Sequence, residues 1–218
     1  MATATPTATP TARVIPRGPH GLSPGEVLAS QRERVFSAII AAVAEKGYVH
    51  TSVADVLSRA RVSRLTFYQL FRDKEECFVA AFEARATLLV DVLRAVLDDV
   101  APVDVGGVLG RVDLILQTYL QALQSEPASA RALLIEVYAA GPRALQQRHR
   151  ALQQFVQVVN EALGDQPDMF DNEDEQRFAA QLLVGGVSSL VTTMVGAGQI
   201  DELGGLRGPL VKMFQRLR

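Results

Sequence analysis

Apolar positions along this chain recur three and four residues apart, and nowhere does alternation persist long enough to suggest strands, so the pattern predicts an all-α fold of about nine helices. A first helix is expected over Ser30–Lys46. Ser30-Gln31-Arg32-Glu33 fits a capping box, Val35, Phe36, Ile39, Ile40 and Val43 form a broad apolar face, and Gly47 suits the C-cap. Two short pieces follow, one opening at Thr51 or Ser52 and one at Ser63, all hydroxyl residues fit to cap a helix. Asp73 then opens a long helix through Phe78, Phe82, Leu88, Leu89, Val92, Leu93, Val96 and Leu97 to about Val100, some 40 Å at 1.5 Å per residue. Beyond Pro102, glycines, prolines and acidic loops divide the chain into further helices near 107–124, 127–140, 142–163, 173–197 and 203–217.

The two short pieces are too close together for either to bury its apolar side alone. Val53, Val56, Leu57 and Ala60 make one stripe, and the turn through Ala60-Arg61-Val62 leads directly into the next helix, which forces a steep crossing. In the second piece Phe67, Leu70 and Phe71 share one side while Leu65, Tyr68 and Gln69 share the other, with Arg64 and Thr66 at the margins. An outward face of Arg, Thr, Tyr and Gln around one Leu offers donors to phosphates and base edges and presents few acids to repel them. A DNA-reading helix needs those features.

The run GYVHTSVADVLSRARVSRLTFYQLFRDKEECFVAAF closely resembles the N-terminal domain of the TetR family of bacterial transcriptional repressors. The shared features are a Gly ending helix 1, Thr or Ser opening helix 2, an A-x-V-S turn, a T-[LF]-Y-x-x-F recognition helix and a Lys-Glu pair opening helix 4. Two positions depart from the pattern: Arg61 stands where the turn usually has Gly, and Leu65 where Gly or a basic residue is common. A residue at positive φ is best served by Gly, and an outward Leu suits apolar contact with a thymine methyl. Past residue 85 the resemblance is one of length and helix count.

The resemblance implies a helix-turn-helix DNA-binding domain over residues 30–78 and a helical effector-binding and dimerisation domain over 79–218. It implies a cytoplasmic bacterial homodimer that binds a palindromic double-stranded operator, most simply as a repressor released by a small, apolar effector. Thr51, Thr66, Tyr68 and Lys74 would hold phosphates, with Ser52 and Ser63 beside them at the helix starts, while Arg64, Leu65 and Gln69 would face bases. The last two long helices would pair with those of a second copy.

Charge is distributed accordingly. The formal net charge of −2 gives no hint of a nucleic-acid partner, yet residues 1–74 hold ten Lys/Arg against five Asp/Glu, a net of +5, and residues 75–218 hold twelve against nineteen, a net of −7. Cys77 is the only cysteine, which excludes an intrachain disulfide and a cysteine-based metal cluster; a lone Cys on an apolar helical face reads as core rather than as a redox sensor. His20, His50 and His149 show no metal-ligand spacing, so neither a metal nor another cofactor is expected.

Residues 1–29 read as a disordered tail, MATATPTATPTA, followed by a segment whose Arg13, Arg17 and His20 make either a basic arm for a minor groove or a solvated linker. The tail lacks the basic start and apolar run of a signal peptide. Phe178–Ile200 carries no charge, but Gln181, Ser188, Ser189, Thr192, Thr193 and its glycines argue against a membrane span. Its small residues suit a close helix–helix interface instead, with Leu182, Gly185, Gly186, Ser189 and Phe214 as candidate dimer contacts.

No catalytic arrangement stands out: there is no Walker loop, and the acidic pairs sit at the ends of elements. Leu89, Leu93, Tyr119, Glu136, Tyr138 and Phe155 are candidate pocket residues, Glu136 being the one acid inside ALLIEVYAA; the alternative is that it pairs with Arg143 or another internal base. The rival to a DNA-binding regulator is a helical small-molecule-binding protein without DNA affinity.

Overall fold

The computed structural model describes residues 23–99, 107–164 and 169–216, and among these every regular element is helical. The tail, Arg13, Arg17 and His20 lie outside the described residues, as does Val100. Helix α1 (Pro24–Lys46) starts six residues earlier than the apolar pattern implies. Ser23 accepts from the Glu26 N–H while the Glu26 carboxylate accepts from the Ser23 N–H, a complete capping box with Pro24 at the first helical position. Ser30 is therefore interior: two capping boxes compete in this stretch, and the one with proline prevails.

Gly47 ends α1 at φ +81°, donating its N–H to the Val43 carbonyl. A side chain here would be strained, and its Cβ would lie 3.3 Å from the Glu136 carboxylate. Helices α2 (Val53–Ala60) and α3 (Arg64–Leu70) form the compact helix-turn-helix, and α4 (Lys74–Asp98) runs away from it for 25 residues, about 37 Å. Then come α5 (Gly107–Ser125), α6 (Pro127–Leu134), a 3-10 turn over Glu136–Ala139 and α7 (Pro142–Leu163). Helix α8 (Glu173–Gly196), a second 3-10 segment (Ile200–Leu206) and α9 (Arg207–Arg216) complete the body. Two expected helices are thus shorter: 127–140 breaks at Ile135, and the last begins only at Arg207.

The apolar faces meet in three clusters. The first unites Val35, Phe36, Ile39 and Val43 of α1 with Val56, Phe67, Phe71, Phe78 and Phe82, and it continues into Ala132, Val137, Ala140 and Ala144 of the α6–α7 region. The head therefore shares its core with the body. A second cluster joins α4, α5 and α7 through Val90, Leu93, Val112 and Val159; a third joins α5 to α8 and the second 3-10 segment through Leu120, Val191 and Leu203. Helix α4 packs along α7 and contributes to both the first and the second cluster.

Helix α8 is long and apolar enough to cross a membrane by length and composition, with a mean hydropathy of 1.6 over its most apolar window. Ala180, Val187, Val191 and Val195 face the protein interior. Its opposite face is open.

Candidate nucleic-acid interface and effector cavity

Helix α3 is only seven residues long and cannot hold itself together, so its position is set by what lies beneath it. Phe67 is wholly buried, with Phe71 at 5.7 Å and Tyr68 edge-on at 5.4 Å between ring centroids, and Phe71 in turn meets Phe36 of α1 at 5.8 Å. Ser63 caps the helix by accepting from the Thr66 N–H at 3.0 Å, and the two hydroxyls lie 2.9 Å apart. Leu65 is 71% and Tyr68 49% exposed, and Arg64 and Gln69 are exposed beside them. One face thus carries a guanidinium, a phenol, an amide and an isobutyl group, with no acid in the first turn.

Helix α2 is fixed by reciprocal bonds: Ser52 accepts from the Asp55 N–H at 3.2 Å, and Asp55 accepts from the Ser52 N–H at 2.9 Å. Asp55 also pairs with Lys46, and these hydrogen bonds hold its carboxyl well below the usual range. Arg59 pairs with Glu45, and Arg34 of α1 donates to the terminal carbonyl of Ala60 at 3.2 Å. The turn closes at Arg61, which takes the left-handed conformation (φ 53°, ψ 44°). The chain accepts there a conformation for which glycine is better suited.

Two residues assigned to phosphates are placed otherwise. Thr51 is only 2% exposed, and its hydroxyl donates to the Gly47 carbonyl at 2.8 Å. Lys74 donates to the carbonyls of Tyr48 at 2.7 Å and Thr51 at 2.8 Å, with its ammonium 4.1 Å from the centre of the Tyr48 ring. Burial lowers its pKa. Both residues brace the loop between α1 and α2 because that loop contains carbonyls that no helix partner can satisfy. Ser52 and Ser63 are exposed but also engaged as caps, while Thr66 is half-buried.

The body contains two adjoining cavities of about 70 Å³ each. The first is enclosed by α4, α5, α7, α8 and α9, with Leu93, Ile115, Phe155, Val187 and Phe214 in its wall, and it is almost wholly apolar. The second, nearer the head, is bounded by Phe82, Leu89, Leu133 and the guanidinium-bearing Arg85 and Arg148. Tyr119, Leu152, Phe155 and Ser188 belong to both walls. Tyr119 and Phe155 meet edge-on at 5.8 Å, and burial pushes the Tyr119 phenol up to about 12.

Glu136 and Tyr138 do not reach either cavity. The helical period puts them on a continuous α6, but the chain leaves the helix at Ile135, and the 3-10 turn points Glu136 at the head. There its carboxylate accepts from the Tyr48 N–H at 2.9 Å and lies 3.5 Å from Arg131; Arg143 pairs instead with Glu75 at 3.7 Å. Tyr138 is exposed, beneath the Arg148 guanidinium. Phe214, expected at a dimer contact, turns into the first cavity because that is where α9 buries its apolar side.

The other residues expected at the dimer contact share the open face of α8. Phe178 and Leu182 are 59% and 61% exposed, followed by Gly185, Gly186, Ser189 and Leu190, a stripe four turns long without a charge. Among the described residues, and apart from the helix's own backbone, nothing lies within 4 Å of a Cβ placed on Gly185 or Gly186.

Sequence reasoning missed Arg85, Arg148 and Tyr48. Arg148 lies in the polar run QQRHR, which reads as a solvated face; only the meeting of α7 with α8 reveals its bond to Ser188.

Residues 35–81 match the family model described as bacterial regulatory proteins, tetR family. No protein of curated function matches the sequence. Among solved structures, the fatty acid degradation regulator FadR from Bacillus halodurans superposes with a TM-score of 0.72 at 20% identity, over 83% of this chain and 96% of that one. The transcriptional regulator FadR from Bacillus subtilis, in complex with stearoyl-CoA, gives 0.71 at 18% identity with the same coverage. The reduced form of E. coli NemR gives 0.63 at 17% identity, over 83% of this chain and 94% of that one. Likeness at this level of identity establishes a shared fold.

Proposed function

We propose that this chain, whose residues 35–81 match the model of the tetR family of bacterial regulatory proteins, is a ligand-responsive repressor of that family working as a homodimer on a palindromic operator in the cytoplasm. The observation that carries the reading is the exposed, acid-free face of α3 mounted on a fully buried Phe67. Arg64, Leu65 and Gln69 face the base edges of a major groove; Tyr68, with Thr66 and the capping serines at its edge, meets phosphates. Two such heads read neighbouring half-sites when a second copy is joined across the open face of α8 around Gly185 and Gly186.

An apolar effector enters the cavity between α4, α5, α7 and α8. Since α4 carries both cavity wall and head core, a ligand that widens its separation from α7 changes how the head is presented, and DNA affinity falls. The stearoyl-CoA complex of the Bacillus subtilis regulator supports an effector with an apolar part.

Selection of bound duplexes from a random DNA pool at two salt concentrations tests the proposal. The expected result is an enriched palindrome whose affinity falls steeply with salt. A folded dimer that enriches no sequence would favour a small-molecule-binding protein without DNA affinity.

A further inference from the structure

The two cavities differ in chemistry, and the difference defines a ligand. The first offers no charged group, so it accepts only an apolar body. The second contains Arg85 and Arg148, and neither has a carboxylate within ion-pairing distance among the described residues. Other arginines of the chain do: Arg94 is paired with Glu161, Arg131 with Glu136 and Arg207 with Asp113. Arg85 donates only to the Ser37 hydroxyl of α1 at 3.1 Å, and Arg148 to the Ser188 hydroxyl of α8, also at 3.1 Å. Ser188 stands in the wall common to both cavities, so the Arg148 guanidinium reaches the boundary between the apolar chamber and the basic one.

Resting on the reading of this region as the effector site, the geometry points to an amphiphile with one anionic group: its apolar body fills the chamber between α5, α8 and α9, and its carboxylate or phosphate lies against Arg148 and Arg85. A carboxylate or phosphate adds to the hydrogen bond an ion-pair attraction and a bidentate geometry that a hydroxyl lacks, so the anion displaces Ser188 and Ser37 as partner. Withdrawing Arg85 from Ser37 also undoes a bond between α4 and α1, which joins ligand binding to the head.

The test uses the full chain and three probes of equal chain length: decanoate, decyl phosphate and n-decanol. Binding is measured by calorimetry, and DNA release with a selected operator. One or both anions should bind at least about tenfold tighter than n-decanol, and the stronger anion identifies the headgroup. Arg148→Gln should remove that preference and Arg148→Lys should restore part of it, with an unchanged thermal transition showing that both variants are folded. Equal binding of all three probes, or an Arg148→Gln variant that keeps the preference, overturns the anion site and leaves the apolar effector cavity standing. Failure of all three to bind a folded protein that still binds DNA overturns both.

Discussion

The Glu136 carboxylate accepts a hydrogen bond from the backbone N–H of Tyr48 at 2.9 Å, joining residues 88 positions apart in the chain. Tyr48 occupies the loop between α1 and α2, Glu136 the 3-10 turn between α6 and α7, and Arg131 lies 3.5 Å behind the acid. The body thereby grips the head at the base of its helix-turn-helix. Glu136→Ala should lower unfolding free energy by about 1–3 kcal/mol, since it leaves a part-buried N–H without its partner. Glu136→Gln, which keeps an acceptor, should cost less. Urea denaturation of both variants checks the order; equal losses would assign the effect to charge.

Arg61 holds a left-handed conformation at the end of α2. Replacing it with glycine should raise stability by about 1 kcal/mol and Tm by about 2–4 °C. Thermal unfolding followed by circular dichroism reads this directly, and a fall in Tm would mean that the guanidinium contributes more than the strain removes.

Cys77 is wholly buried, and burial pushes its thiol well above the usual range, with Asp73 and Glu76 acting in the same direction. The native protein should resist thiol reagents at neutral pH and react fully once unfolded. Rapid labelling of folded protein would reopen a redox role.

Burial also pushes the phenols of Tyr48 and Tyr119 up to about 12. In the unfolded chain they ionise near pH 10, so between about pH 10 and 12 the unfolded state releases protons that the folded state retains. The stability these residues contribute is complete below that window and is lost as pH rises through it. Denaturation midpoints across the alkaline range should fall, and a Tyr119→Phe variant should lose stability less steeply.

Gly186 lies on the exposed face of α8, and no other helix among the described residues comes within 4 Å of a Cβ placed there. Gly186→Leu should leave the folded protomer intact, or slightly more stable through better helix propensity, while weakening association of two copies. Sedimentation that shows an undiminished dimer would move the interface elsewhere.

Tyr68→Phe should weaken binding to all DNA sequences alike, by loss of one phosphate contact, whereas Gln69→Ala should relax preference at one position of each half-site. Selection experiments on both variants distinguish the roles; a change of sequence preference in Tyr68→Phe would exchange them.

The sequence by itself determined the order of the helices and the outward face of α3, because these depend on residues three and four apart. Leu65 and Gln69 had to lie opposite Phe67, with Tyr68 on the flank between, once a helix was formed there. It also determined the caps at Ser63 and Asp73, which act within three residues of themselves, and narrowed the cap of α2 to Thr51 or Ser52, of which the structure uses Ser52. The start of α1 shows where local signals were insufficient: Ser23 and Ser30 both open a plausible box, and the proline at position 24 decided between them. Tertiary structure decided what each polar side chain meets. Lys74 is bent into the Tyr48–Thr51 loop, Glu136 leaves the pocket for the head, Phe214 leaves the surface for the cavity, and Arg85 and Arg148 converge on one chamber. Periodicity specifies which face of a helix is apolar but carries no information on which other face it will meet. Partners between 23 and 88 residues apart are set only when those faces pack and the remaining buried polar groups must find one another.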